Sequence, residues 1–266
     1  MIKQQKKKQK PSNLVQTIER TAFILETLGQ HPNGLSLGEL SEKVNLPKGT
    51  THRLLTSMVY VDFVRQNHIN KHYHLGFKLV ELGNNLLSHI DLRNEAHPHL
   101  LKLGEKVHET IHLVILDDDE ALYIDKVNMY SQRGGLQMVS RLGSKIPLYC
   151  SAVGKILLAF MPEAAADVII KNTNFNQLTK KTITSGEKLM LRLEQVKQTG
   201  YAFDDEENEE GVRCIAAPIR DESGQVVAAM SVSVPASRMS IDQINMSLRP
   251  QVVETAENIS QRLGFS

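Results

Sequence analysis

The 266-residue sequence predicts an α+β protein with two domains. Its length is close to twice the roughly 150 residues that one domain usually holds. Up to about residue 90 the apolar residues recur at helical spacing, whereas beyond it helical segments alternate with short strand-like runs. Helices mixed with strands that are joined by hairpins are typical of an α+β fold with a mainly antiparallel sheet.

The composition excludes several classes of protein. With 41% apolar and 23% charged residues, the chain is typical of a globular protein rather than a disordered one. Cys150 and Cys214 are too few for a disulfide framework and too far apart for a metal motif, which favours a cytoplasmic location. Because no apolar run approaches roughly 18 residues, and the start lacks the apolar core of a secretory signal, we expect neither export nor a membrane span.

The charges are distributed unevenly along the chain. Residues 1–75 contain 11 Lys and Arg against 5 Asp and Glu, whereas the remainder contains 20 against 25. A basic end attracts polyanions such as nucleic acid. Five of the basic residues lie in the first ten, and we interpret residues 1–12 as a disordered basic tail, either a solvated terminus or a DNA-binding arm.

Three helices are predicted at the basic end, over residues 14–29, 36–44 and 47–60. Ser36 with Glu39 three residues later has the pattern of a capping box. Pro47 suits the first turn of the third helix, since its missing N–H is not needed there. The second and third helices, joined by a tight turn, predict a helix-turn-helix.

The third helix has an apolar side and a polar side at the period of 3.6 residues. Thr51, Leu54, Leu55 and Met58 form the side that packs. A groove-reading helix needs donors for base edges and hydroxyls for phosphates, although a solvated helix face is the alternative. The polar side contains Gly49, Thr50, His52, Arg53, Thr56 and Ser57.

Two short strands over residues 63–65 and 73–75 complete a predicted winged helix-turn-helix. The polar turn between them contains His68, and His72 and His74 follow it. We interpret these histidines as phosphate contacts or solvated groups rather than metal ligands, because no cysteine or carboxylate lies among them. A linker helix is predicted over residues 76–91.

The second half of the chain is predicted to form an antiparallel sheet flanked by helices. Strands are expected over residues 111–116, 121–127, 136–139, 213–219 and 226–234, and helices over 100–107, 151–160, 164–171, 185–199 and 241–263. The acidic stretch 117–120 is a hairpin tip, and it lacks the spaced ligands and glycine of a calcium loop.

A helix that begins near Ser151 is a candidate anion site. Small residues gather there, and the free N–H groups and positive dipole end of a helix start bind carboxylate or phosphate. Gly154-Lys155 resembles part of a phosphate loop, but the preceding glycine and following Ser or Thr are missing. A small organic anion fits better than a nucleotide.

Two further stretches offer polar groups to a ligand. The segment 201–211 contains six carboxylates between two apolar runs, so its first and last members, Asp204 and Glu210, are expected to turn inward. Strand alternation places Ser231 and Ser233 on one face, where they either bind a polar ligand or meet solvent.

Catalysis is disfavoured, so we expect no enzyme. No histidine lies near Cys214 in the sequence, and Ser151 lacks the glycines of a nucleophile elbow. Nothing pairs Asp204 with Glu210 as an acid and a base. No cofactor is expected.

Together these stretches resemble the IclR family of bacterial transcriptional regulators over nearly the whole chain. Residues 37–41 and 48–55 resemble the DNA-reading unit of that family, although Gly49 stands where a serine is common and Thr51 where an apolar residue is common. Residues 147–160, 200–201 and 206–216 resemble the signatures of its effector domain.

The resemblance implies a winged helix-turn-helix DNA-binding domain (1–75), a linker helix (76–91) and a GAF-like effector-binding domain (92–266). It also implies homodimers or tetramers on palindromic operator DNA, and no membrane partner. The DNA-binding residues that it implies are Lys48, Gly49, Thr50, His52, Arg53, Thr56 and Ser57. The expected effector-binding residues are Met138, Ala152, Val153, Asp204, Cys214, Ser231 and Ser233.

Within the family, residues 109–113, 182–185 and the acidic stretch ending at Cys214 most resemble the repressors of pectin and uronate breakdown. That likeness implies a keto-acid effector, 2-keto-3-deoxygluconate. A regulator for glyoxylate, pyruvate or an aromatic acid is the alternative, ahead of an enzyme with an appended DNA-binding domain.

Overall fold

The computed structural model describes residues 11, 13–88, 91–129 and 140–265. It divides the chain into two compact units between His89 and Ile90, inside the linker predicted over 76–91. Residues 1–10 and 12 of the predicted basic tail, the strand predicted over 136–139 and the candidate Met138 lie outside the described residues.

The first unit contains the predicted helix-turn-helix and wing. The capping box is present: the Ser36 hydroxyl accepts the Glu39 N–H at 3.3 Å, and the Glu39 carboxylate accepts the Ser36 N–H at 2.8 Å. Asn45 turns the chain toward the next helix in a left-handed conformation, with φ of 52°. The elements are α1 (Gln16–Gly29), α2 (Leu37–Lys43), α3 (Lys48–Tyr60), β1 (Val64–Gln66), β2 (Tyr73–Leu75) and α4 (Lys78–Ser88).

A small apolar core holds this unit together. Ile24, Leu40 and Leu55, one from each of the first three helices, are fully buried. β1 and β2 pair antiparallel as the predicted wing. Gly76 then lies so close to the Asp62 carbonyl that an added Cβ would come within 1.9 Å of its oxygen. Only glycine therefore allows the chain to leave the wing toward α4 along this path.

The second unit is built on one six-stranded antiparallel sheet with the order β5-β4-β3-β8-β7-β6. In β8, Val232 packs into one apolar core while Ser231 and Ser233 point to the opposite face. The strands are β3 (Thr110–Asp117), β4 (Glu120–Asn128), β5 (Lys145–Pro147), β6 (Ala202–Asp205), β7 (Val212–Arg220) and β8 (Val226–Pro235).

Helices cover both faces of the sheet, and each face has its own apolar core. The face that presents the two serines is covered by α6 (Ala152–Phe160), α7 (Glu163–Asn172) and α8 (Gly186–Thr199). The other face is covered by α5 (Asp91–Val107) and α10 (Arg249–Arg262), with the short α9 (Ile241–Gln243) preceding α10. The prediction of an α+β fold, with a winged helix-turn-helix that precedes the sheet domain along the chain, is confirmed.

Three features differ from or extend the predicted elements. Residues 100–107 belong to a helix as predicted, but that helix, α5, already begins at Asp91; its first turns are polar and contain Pro98, which hides the helical pattern. The short strands β5 and β6 were not predicted. The helix expected over 241–263 opens into one turn of π-helix at Ile244–Leu248, directly before Pro250, whose missing N–H disrupts regular helix bonding.

Two other findings concern the described residues only. No three His, Cys, Asp or Glu side chains among them are grouped as metal ligands, either in the wing or at the acidic hairpin tip. None of the described helices is long and apolar enough to cross a membrane.

Candidate DNA-binding surface and ligand cavity

The third helix presents the polar side that the sequence predicts. Thr51, Leu55 and Met58 are buried on its inner side. Of the candidate DNA-binding residues, Thr50 is half-buried and the others are exposed, namely Lys48, Gly49, His52, Arg53, Thr56 and Ser57.

The hydroxyls on this surface are engaged within the helix. Thr56 donates to the His52 carbonyl at 2.9 Å, and Ser57 donates to the Arg53 carbonyl at 3.1 Å. Phosphate oxygens only accept hydrogen bonds, so these hydroxyls must turn away from the helix before they can bind one. The side chains of Lys48, His52 and Arg53 therefore supply the exposed nitrogen donors of this candidate surface.

A cavity in the second unit lies between the start of α6 and the serine-bearing face of the sheet. Six of the seven candidate effector-binding residues line it together: Ala152, Val153, Asp204, Cys214, Ser231 and Ser233. Met138 lies outside the described residues. The sequence reading had not selected the other lining residues as ligand contacts: Tyr123, Ile146, Ser151, Asn208, Glu209 and Val212.

The start of α6 forms part of the wall of this cavity. Ser151 caps the helix by accepting the Gly154 N–H at 3.1 Å, while its own hydroxyl donates to the Pro147 carbonyl at 2.8 Å. Ala152 and Val153 therefore contribute the first-turn N–H groups that a helix leaves for an anion. Gly154 allows the helix to start here, because a Cβ would lie 2.4 Å from the backbone of Leu148.

The sheet aligns the polar side chains in two neighbouring rows. Asp204, Cys214 and Ser233 are partners across β6, β7 and β8, and Ser231 is the partner of His112 across β8 and β3. Ser231 and Ser233 are buried, so the alternative of a solvated face is wrong. The Cys214 sulfur lies 3.1 Å from the Ser233 oxygen.

Asp204 is the buried carboxyl of the cavity, with only 3% of its surface exposed. One of its oxygens accepts the Glu207 N–H at 2.7 Å and the Asn208 N–H at 3.4 Å. Burial raises the pKa of Asp204 to about 7, against the opposing effect of the Lys155 charge. Glu210, the other carboxylate that we expected to turn inward, is exposed, and Glu209 lines the cavity instead.

A buried ion pair supports the cavity wall. Lys155 on α6 is fully buried, and its ammonium group donates to the Glu207 carboxylate at 2.5 Å and to the Phe203 carbonyl at 2.7 Å. The pair fixes the start of the β6–β7 loop, which carries Asn208 and Glu209, to the helix. It joins residues that are 52 positions apart, so no local sequence pattern indicates that they meet.

The two cysteines are poorly suited to nucleophilic chemistry. Burial raises the pKa of both the Cys150 and the Cys214 thiols, with the Asp204 charge adding to the effect. Both remain protonated at neutral pH, whereas a nucleophilic cysteine requires the thiolate. Cys214 is therefore suited to hydrogen bonding with Ser233 or a ligand.

Family models match both units of the chain. The IclR helix-turn-helix domain matches residues 17–68, and the C-terminal domain of the bacterial transcriptional regulator IclR matches residues 84–261.

Curated relatives match along nearly the full chain. The transcriptional regulator KdgR of Escherichia coli is 36% identical over 96% of this chain and 95% of its own. The regulator XynR of the same organism is 34% identical over 95% of this chain and 98% of its own.

Among solved structures, the Thermotoga maritima IclR is 35% identical and superimposes with a TM-score of 0.83, over 94% of this chain and 99% of its own. With both family models matched, and relatives of similar length that are transcriptional regulators, the chain is a member of the IclR family of DNA-binding transcriptional regulators.

Proposed function

We propose that this regulator represses genes of sugar-acid catabolism and that a small keto-acid, 2-keto-3-deoxygluconate, controls its affinity for operator DNA. The observation that carries the proposal is the chemistry of the cavity. Backbone N–H groups at the start of α6 suit a carboxylate, and the opposite wall offers hydroxyls and carboxyls. Those groups suit the hydroxyls of a sugar acid, since each can donate to or accept from them.

The resemblance of residues 109–113 and 182–185 to the repressors of pectin and uronate breakdown supports the ligand class. KdgR and XynR are similar to this chain to nearly the same degree. We assign the ligand contacts to Ala152, Val153, Asp204, Cys214 and Ser231, together with Ser233 and the undescribed Met138. Residues 92–266 then form the ligand-sensing domain of the protein. Residues 76–91 connect it to the DNA-binding domain.

On the DNA side, the protein binds a palindromic operator as a homodimer, or as a tetramer of two dimers. Each reader helix α3 enters a major groove, and two half-sites on one face of DNA lie about 34 Å apart. Ligand binding favours one arrangement of the two reader helices over another. A differential affinity of about 1 to 3 kcal/mol for the two arrangements is enough to change operator occupancy.

Thermal shifts with four acids test the ligand class: 2-keto-3-deoxygluconate, pyruvate, glyoxylate and 4-hydroxybenzoate. We expect the largest stabilisation from 2-keto-3-deoxygluconate, and a loss of that stabilisation in a variant with Ser231→Ala and Ser233→Ala. A larger shift with one of the other acids would replace the proposed ligand. Stabilisation that persists in the double variant would remove the serines from the site.

A further inference from the structure

His112 lies directly behind the ligand cavity. It occupies the middle of the buried strand β3, with 1% of its surface exposed, and its ring packs against Tyr123 of the cavity wall with 4.9 Å between ring centres. Its strand register places it beside Ser231, on the face that also presents Ser233. In the sequence, His112 was predicted only as one residue of an apolar strand.

The ring joins a hydroxyl that lines the cavity to one that does not. Its Nδ1 atom lies 3.5 Å from the Ser233 hydroxyl, a long hydrogen bond, and its Nε2 atom lies 2.8 Å from the Ser140 hydroxyl. Ser233 lines the cavity, and its oxygen also contacts the Cys214 sulfur. Ser140 is half-buried and is not among the lining residues.

The ring is neutral at physiological pH. Burial, reinforced by the charge of Lys126, lowers the pKa of His112 to about 3. A neutral imidazole has one nitrogen that donates and one that accepts. The directions of the Ser140 and Ser233 hydroxyls are therefore linked. If Ser140 donates to Nε2, then Nδ1 donates to Ser233, and the proton of Ser233 is left for the Cys214 sulfur or for a ligand in the cavity.

The position of Lys126 favours this arrangement. Its ammonium group donates at 2.8 Å to the backbone carbonyl of Ser140, the residue whose hydroxyl contacts Nε2. A positive charge near Nε2 disfavours the tautomer with a proton on Nε2 and favours the tautomer in which Nε2 carries a lone pair. The proton then resides on Nδ1, and Ser233 presents a donor to the ligand.

We propose that His112 is a positioning residue for the ligand. Its ring accepts a hydrogen bond from Ser140 and donates one to Ser233, which leaves the Ser233 hydroxyl to donate to a keto or carboxylate oxygen of the ligand. This inference rests on the proposed function, since it requires an acid in the cavity. It assigns a role in ligand selection to two residues, His112 and Ser140, that do not line the cavity.

The tautomer can be measured directly. In the full-length protein labelled with ¹⁵N, we expect the His112 ring to show a protonated Nδ1 and an unprotonated Nε2 between pH 5 and 8. A proton on Nε2, or titration of the ring within this range, would overturn the proposal. This measurement needs no ligand, so its outcome does not depend on the identity of the effector.

Calorimetric titration with 2-keto-3-deoxygluconate and with pyruvate tests the effect on binding. We expect His112→Phe, which keeps the ring volume without hydrogen bonds, to weaken binding about tenfold, and Ser140→Ala to weaken it about threefold. His112→Asn places an amide near the Nδ1 position and is expected to recover most of the loss. Unfolding midpoints in urea, and operator binding without ligand, identify any variant that is simply misfolded.

The outcomes separate this inference from the proposed function. Wild-type protein that binds neither acid would contradict the proposed function, whereas wild-type protein that binds either acid establishes the reference for the variants. If the wild type binds and the folded Ser140→Ala and His112→Phe variants bind equally well, the positioning role is wrong and the ligand site stands.

Discussion

The candidate DNA-binding surface and the candidate ligand cavity are built in opposite ways. The side chains of Lys48, His52 and Arg53 project from one helix into solvent. The polar side chains of the cavity are buried or half-buried and come from several strands and the start of α6, and Cys214 and Ser233 contact each other. Substitutions on α3 should therefore change DNA binding with little effect on folding, whereas substitutions in the cavity should change folding and ligand binding together.

The largest effect is expected from Lys155→Met. Removing the ammonium group leaves the Glu207 carboxylate buried without its cation, which costs about 3 to 5 kcal/mol in the free energy of unfolding. Urea denaturation measures that loss. Lys188→Met, at an exposed position on α8, is the matched control and should stay within about 0.5 kcal/mol of the wild type.

Combining Lys155→Met with Glu207→Leu removes both charges, so we expect part of the stability to return. A Lys155→Met variant as stable as its control would show that the ion pair does not hold the cavity wall.

A pH-dependent effect is expected at Asp204, whose pKa is raised to about 7 in the folded state. Between about pH 4 and pH 7 the folded protein retains a proton that the unfolded chain has released. Stability therefore falls as the pH rises through this window, by up to about 1.4 kcal/mol per pH unit. The Asp204→Asn variant lacks this titration.

Urea unfolding of both proteins at several pH values measures the difference. We expect the wild type to lose stability relative to the Asp204→Asn variant as the pH rises from 4 to 7. Above pH 7 the difference in stability should remain constant. A constant difference across the series would mean that Asp204 is ionised in the folded protein throughout.

On the DNA surface, Arg53→Ala should weaken specific operator binding by about 1 to 3 kcal/mol, the cost of losing a guanidinium contact with a base. The unfolding free energy should remain within about 0.5 kcal/mol of the wild type, because the side chain is exposed. Fluorescence anisotropy with a labelled operator measures the affinity, and Arg192→Ala on α8 is the control. Equal operator affinities for the two variants would exclude Arg53 as a DNA contact.

The smallest effect is expected from Ser231→Ala, which removes one hydroxyl from the cavity. Loss of one hydrogen bond to the ligand costs about 1 kcal/mol, or about fivefold in affinity. Calorimetry with 2-keto-3-deoxygluconate measures this change, and operator binding without ligand should be unaltered. If operator binding weakens instead, Ser231 contributes to the fold of the regulator rather than to ligand contact.

Local patterns predicted most of the first unit. The capping box at Ser36 and the amphipathic spacing of α3 each depend on residues within one helix, so the sequence contains all that is needed. The same holds for the alternation of Ser231 and Ser233 along one strand. Local rules did not indicate the first turns of α5, since surrounding structure maintains the helix at Pro98 despite a missing N–H. They also did not indicate the π-helical turn that precedes Pro250.

The supporting residues of the cavity could not be predicted in this way. Lys155 meets Glu207, and His112 meets Ser140 and Ser233, only because the sheet order places distant segments together. In the sequence, Lys155 resembled part of a phosphate loop and His112 one position of an apolar strand. A buried polar residue shows its role only when its partner is known, and that requires the tertiary structure.

Reciprocal linkage between ligand and operator provides the most direct test. The affinity of the protein for 2-keto-3-deoxygluconate should be measured by calorimetry in the absence and in the presence of saturating operator DNA. If the ligand releases the protein from the operator, DNA must weaken ligand binding by the same factor, which we expect to be about 5- to 150-fold. Equal ligand affinity with and without operator would contradict the coupling of the two units.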